Sequence, residues 1–144
     1  MRVTAIMAML AITGMAATDE LSDSRVMAAI QHVWLQSKGG LLGQEAGFRL
    51  DGNRSSYHVV PLSVTNEYLT LSVSIIQGVT FALFHVHPTQ LDPRPSKRDI
   101  AIADQYKVKV FTIHAKGIFM YDPASGTTVK LRNYLEWVKL AQIP

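Results

Sequence analysis

The chain has 144 residues, 48% hydrophobic and 17% charged, with a formal net charge of +3 and no cysteine. That length supplies one domain with a real core and is short for two, while the missing thiols exclude disulfides, a cysteine nucleophile and sulfur ligation, so any zinc must be held by nitrogen and oxygen. The basic residues Lys97, Arg98, Lys107, Lys109, Lys116, Lys130 and Arg132 are interspersed with acids, which reads as a solvated surface with no nucleic-acid partner expected.

At the amino end, Arg2 precedes an apolar run from Val3 that closes on the small residues Gly14, Ala16 and Ala17. Residues 1–17 read as a secretory signal peptide, leaving 18–144 as a single domain; a buried or membrane-attached helix is the alternative. With the signal removed, the protein is expected to be exported, periplasmic or secreted, without stable membrane insertion. Without such a signal it is cytoplasmic.

Further along, Val26, Ile30, Val33 and Trp34 recur at helical spacing, with Ser22 to Ser24 as caps and Gly39-Gly40 as the stop. Strands are predicted over residues 46–50, 57–63, 69–76 and 79–85, separated by Asp51-Gly52-Asn53, Thr65-Asn66-Glu67 and Gln77-Gly78. A helix follows Ser96. Residues 109–114 and 117–121 form a predicted hairpin around Ala115-Lys116, Asp122-Pro123 makes a turn, and 127–131 form another short strand. Residues 133–143, with Tyr134, Trp137, Val138 and Ala141 on one stripe, are expected to close a mixed α/β domain as a helix.

The chemistry concentrates at His85-Val86-His87-Pro88 and Ser96-Lys97-Arg98-Asp99. Histidines one residue apart on a strand share a face at roughly 7 Å, so both imidazoles reach one ion. A catalytic zinc takes three protein ligands and keeps a fourth position open, and Asp99 supplies the third. Pro88, Pro93 and Pro95 force a loop after the strand, and Ser96 then caps a helix whose first turn carries Asp99. Ser96-x-x-Asp99 alone also reads as a capping box, and each histidine alone as an ordinary strand residue. Neither accounts for the joint occurrence. His32, His58 and His114 are read as structural or exposed, with His58 and His114 as alternative outer partners of the metal site.

His85-x-His87-Pro88, seven residues, then Ser96-x-x-Asp99 resembles the JAMM motif of the JAB1/MPN/Mov34 metalloprotease family. The resemblance implies that His85, His87 and Asp99 bind Zn2+, that Ser96 helps stabilise the oxyanion, and that an upstream glutamate is the general base. The stretch from Gly43 to Gly52 resembles the family's surroundings of that glutamate, which makes Glu45 the candidate. Glu20 and Asp23 precede the first helix, and Glu67 lies in a polar turn. Val86 departs from the family's usual Ser or Thr, but its side chain points away from the metal face. The implied fold is a JAMM/cytidine-deaminase-like sandwich, a central mostly antiparallel sheet flanked by helices.

The implied activity is zinc-dependent hydrolysis of a peptide or isopeptide bond in a peptide or protein substrate. Between Glu45 and His85 there is no evident insertion of the kind that recruits ubiquitin in eukaryotic relatives, so an exported chain is expected to act on an envelope or extracellular peptide. The alternatives are an inactive JAMM-like scaffold and a different His-x-His metalloprotein, such as a small barrel oxygenase, with His114 as a further ligand.

Overall fold

The computed structural model describes residues 19–41, 43, 45–62 and 74–133. A short helix α1 (Asp19–Ser22) leads into α2 (Ser24–Gln36), whose cap is Asp23: its carboxylate accepts from the Arg25 amide across an extended backbone. Val26, Ile30 and Val33 form the buried stripe. The helix gives way to a 3-10 turn, Lys38–Gly40, in which Gly39 and Gly40 take φ of 65° and 71°.

Six strands follow: β1 (Gly47–Asn53), β2 (Ser56–Pro61), β3 (Thr80–Val86), β4 (Lys109–His114), β5 (Gly117–Asp122) and β6 (Thr127–Asn133), with α3 (Lys97–Tyr106) between β3 and β4. They make one sheet in the order β2-β1-β3-β4-β5-β6. Every pairing is antiparallel except β3 with β4, which the α3 crossover makes parallel. The protein is thus mixed α/β.

Alternation sorts the two faces. Ala82, Phe84 and Val86 of β3, Phe48 and Leu50 of β1, and Phe111 and Ile113 of β4 pack with Val26, Ile30 and Val33 of α2. Phe48, Phe84 and Phe111 stand in register across three strands, with stacked rings 4.5 and 4.1 Å apart. On the opposite face, Leu83, Val108, Val110 and Tyr121 pack with Ala103, Ile100 and Tyr106 of α3. The sheet is therefore sandwiched between α2 and α3.

Some boundaries differ from the sequence reading. Asp51-Gly52-Asn53 is strand, and the turn falls on Arg54-Ser55, held by the Asn53 side chain accepting from the Ser55 and Ser56 amides. Asp51 is buried because the Thr80 hydroxyl and Arg49 both donate to it, at 2.7 and 2.9 Å. Gly52, at φ 126°, is a glycine of necessity, since a Cβ would run into the Ser56 carbonyl. Of the predicted strand 69–76, residues 69–73 lie outside the described set. Residues 74–76 are not strand: Ser74 is engaged by Arg49, and Ile76 opens the turn into β3. Asn133 ends β6 instead of starting a helix, whereas 134–143 and the signal-like segment 1–17 lie outside the described residues. No helix among the described residues is long and apolar enough to cross a membrane.

Candidate metal centre

Because β3 and β4 are parallel, the carboxyl end of β3, the loop leaving it and the amino end of α3 meet at one place, where open α/β sheets characteristically bind ligands. His85 shares the α3 side of β3 with Leu83, and Val86, two-faced from it, is fully buried towards α2. His87 follows, its ring centroid 4.8 Å from that of His85.

Asp99 arrives through the start of α3. Ser96 Oγ accepts from the Asp99 amide at 3.1 Å, and Asp99 Oδ2 accepts from the Ser96 amide at 2.6 Å, a complete capping box. The cap aims the carboxylate. Oδ2 stands 3.2 Å from His87 Nε2 and Oδ1 stands 3.3 Å from His85 Nε2. One ligand atom from each of His85, His87 and Asp99 lies within 4.8 Å of the others, so the three can hold a metal ion. Capping and ligation are one arrangement here, not rival readings.

The donor chemistry fits a cation. His87 Nδ1 lies 2.9 Å from the Asp92 carbonyl oxygen, which only accepts, so the ring proton is on Nδ1 and a neutral His87 turns a bare Nε2 lone pair towards Asp99. Two acceptors face each other unless a proton or a metal ion lies between them. Burial works to lower the His85 imidazole, yet the charge and hydrogen bond of Asp99, with Glu45 behind them, hold it above its ordinary value. Burial likewise works to raise Asp99, and His85, His87 and the Ser96 amide overcome it, holding the carboxyl far below the usual range. Two imidazoles and a carboxylate suit zinc. His85 Nδ1 is buried without a hydrogen-bond partner among the described residues, so only His87 has its tautomer fixed by the fold.

Glu45 reaches the same cleft from the other side. The β1–β3 ladder pairs Gly47 with His85 and continues through the Val86 amide to the Ala46 carbonyl, at 2.9 Å. Carried one residue further, that register sets Glu45 across from His87. Glu45, His85, His87, Ser96 and Asp99 together line a cleft of about 440 Å³. Burial raises the Glu45 carboxyl above its ordinary value, aided by Asp99 and opposed by His85, His87 and Arg98. The Ser96 hydroxyl, already an acceptor in the cap, keeps its proton for another acceptor.

Of the other upstream carboxylates weighed, Asp23 caps α2 and Glu20 is buried against Lys109, while Glu67 lies outside the described residues. His32 and His58 are exposed, on α2 and on the edge strand β2. His114 is not a ligand. Its Nε2 lies 3.2 Å from the Thr89 carbonyl and its Nδ1 accepts from the Lys116 amide at 2.9 Å, which removes the barrel reading that needed it as a further ligand.

His114 instead fastens the loop between β3 and α3, together with groups the sequence reading passed over. Thr112 donates to the Pro93 carbonyl at 2.6 Å, the Thr89 amide donates to Gly40 at 3.1 Å, and the Asp92 carbonyl orients His87. A Cβ on Gly40 would come within 2.7 Å of the His87 carbonyl oxygen, so this glycine both ends the helical segment and lets the loop close down. The available signal was Thr112 and His114 alternating with Phe111 and Ile113: buried polar groups on the α3 side of a strand need partners.

No protein-family model, curated protein or solved structure matches the chain. The site stands on its own geometry.

Proposed function

We propose that the protein is a zinc-dependent hydrolase of an amide bond, a metallopeptidase or isopeptidase of the JAMM type. What supports this reading is the convergence of His85, His87 and Asp99 within 4.8 Å in a cleft that Glu45 also lines. A zinc ion held by those three residues supplies Lewis acidity, acidifying water and polarising a carbonyl. The residues of the chain divide the remaining work. Glu45, its carboxyl lifted by burial, takes the proton of the attacking water and returns it to the leaving amine. Ser96 directs its free hydroxyl proton at the developing oxyanion. The Asp92 carbonyl and the capping box keep His87 and Asp99 aimed, so little reorganisation remains for the reaction itself. If residues 1–17 are removed on export, the substrate is an envelope or extracellular peptide.

Glu45→Gln tests the assignment, because it keeps size and hydrogen bonding but removes the base. Hydrolysis of a peptide library by zinc-loaded protein should fall by roughly a hundredfold or more at unchanged zinc content. Undiminished turnover at equal zinc occupancy would place the base elsewhere. A fully zinc-loaded wild type that cleaves nothing would favour the scaffold reading.

A further inference from the structure

The cleft continues beyond the metal-binding residues along α3. Arg98, Ile102, Gln105 and Tyr106 all line it, at the i, i+4, i+7 and i+8 positions that share one helical face. Ile75 and Leu83 line it as well, and Leu83 and Tyr106 belong to the α3-side core. Beside the metal-binding residues, then, Ile75, Leu83 and Ile102 give the cleft an aliphatic stretch, and Arg98 is the one cation lining it among the described residues.

Among the described residues that cation pairs with no carboxylate by hydrogen bond or ion pair. Arg98 is exposed, and its charge is felt at Glu45. A divalent ion would balance Asp99 and Glu45 and leave the guanidinium as the net charge of the cleft. A planar guanidinium is matched to a carboxylate, which it binds in a forked pair. Arg98 is next to Asp99, and Ile102 is about 4.5 Å further along the helix axis than Asp99. Both line the same cleft as His85, His87 and Asp99.

Resting on the hydrolase reading, we propose that the cleft takes the carboxyl-terminal residue of a peptide, its α-carboxylate on Arg98 and an aliphatic side chain against Ile102, Leu83 and Ile75. The bond presented is then the last amide. Water's oxygen bonds to the acyl carbon, the C–N bond breaks, and the proton passes to the departing nitrogen, releasing a free aliphatic amino acid and a shortened peptide. Arg98 is the residue that sets this preference for an end over an interior bond.

Calorimetric binding to the full-length, zinc-loaded Glu45→Gln chain tests the proposal without turnover. The probes are N-acetyl-alanyl-leucine, its carboxy-terminal amide and N-acetyl-alanyl-serine. The leucine acid should bind about tenfold more tightly than either of the others, the scale of one charge-assisted hydrogen bond or a buried aliphatic group. Adding Arg98→Gln should erase the advantage of acid over amide, and Arg98→Lys should restore part of it, with zinc content the same throughout. An advantage that survives Arg98→Gln would put the carboxylate on the metal ion and overturn the proposal. Equal affinity of the acid and the amide, or no binding at millimolar concentration, would overturn it too. The two readings fail separately. If wild type cleaves interior bonds of end-blocked peptides as fast as terminal ones, the hydrolase stands and the end preference falls. If the leucine acid binds through Arg98 but wild type cleaves nothing, the carboxylate subsite stands and the hydrolase reading falls with the cleavage that rests on it.

Discussion

At the amino end of the parallel pair β3–β4, Glu20 Oε1 lies 3.2 Å from Lys109 Nζ, both residues buried. At the carboxyl end, His85, His87 and Asp99 are buried or nearly so, with Nε2–carboxylate distances of 3.2 and 3.3 Å. The separations are alike, but the electron counts are not. Glu20 and Lys109 bring one anion and one cation, so their charges cancel within the chain. The other cluster turns the His87 Nε2 lone pair and the Asp99 carboxylate towards each other beside the His85 ring, and the proton or metal ion that would lie between them must come from solution. A buried pair of opposite charges points to architecture, whereas a carboxylate and imidazoles converging beside a cleft point to a ligand.

Breaking the closed pair should produce the largest loss of stability and the smallest change in metal binding. Lys109→Met leaves the Glu20 carboxylate buried and alone, and should cost about 3–5 kcal/mol in chemical denaturation. Zinc content should stay at the wild-type value. Adding Glu20→Leu should recover most of the loss, because removing both charges removes the stranded one. Lost zinc in folded Lys109→Met would mean that the two ends are not independent.

A smaller effect, carried to the metal through the loop, is expected from Thr112→Val. It deletes the donor to the Pro93 carbonyl while keeping the shape of a fully buried side chain. Stability should drop by about 1 kcal/mol. Zinc affinity should weaken by about tenfold, the lower end of what outer partners of ligands contribute. Titration against a competing chelator reads the second quantity, and unchanged affinity would show that the loop is held well enough without Thr112.

The gentlest test is pH. In the metal-free chain, His85 is held above its ordinary imidazole value, so its contribution to stability is complete below that ordinary range and fades as pH rises through the raised value. Asp99 is depressed, so its contribution is present above the ordinary carboxylate range and fades only as pH falls through its depressed value. Zinc needs both imidazoles deprotonated, and its stabilisation therefore grows as pH climbs. Denaturation with and without zinc should give curves that separate steadily between about pH 5 and 8. A gap that stays constant across that range would contradict ligation by His85.

Much of this was legible in the sequence because it is local. The α2 stripe, the β4–β5 hairpin and the Ser96 cap each follow from neighbouring residues, and the capping box that sets Asp99 is written within four positions. Glu45 was placed by resemblance, and its physical reason is non-local: the β1–β3 register pairs Gly47 with His85 and so leads Glu45 into the same cleft. The Gly52 turn was misplaced because glycine there relieves a cross-strand approach instead of making the bend. The loop clamps from Thr112, His114 and Gly40 were not legible, since each depends on which carbonyl the fold brings within reach.

Metal analysis of the purified full-length chain, wild type beside His87→Ala, bears most directly on the converging cluster as a metal centre. Wild type should carry one zinc per chain, or acquire it on supplementation, and His87→Ala should carry almost none while His32→Ala matches wild type. A wild type that stays near zero in excess zinc, or a folded His87→Ala that binds zinc as wild type does, would contradict the account.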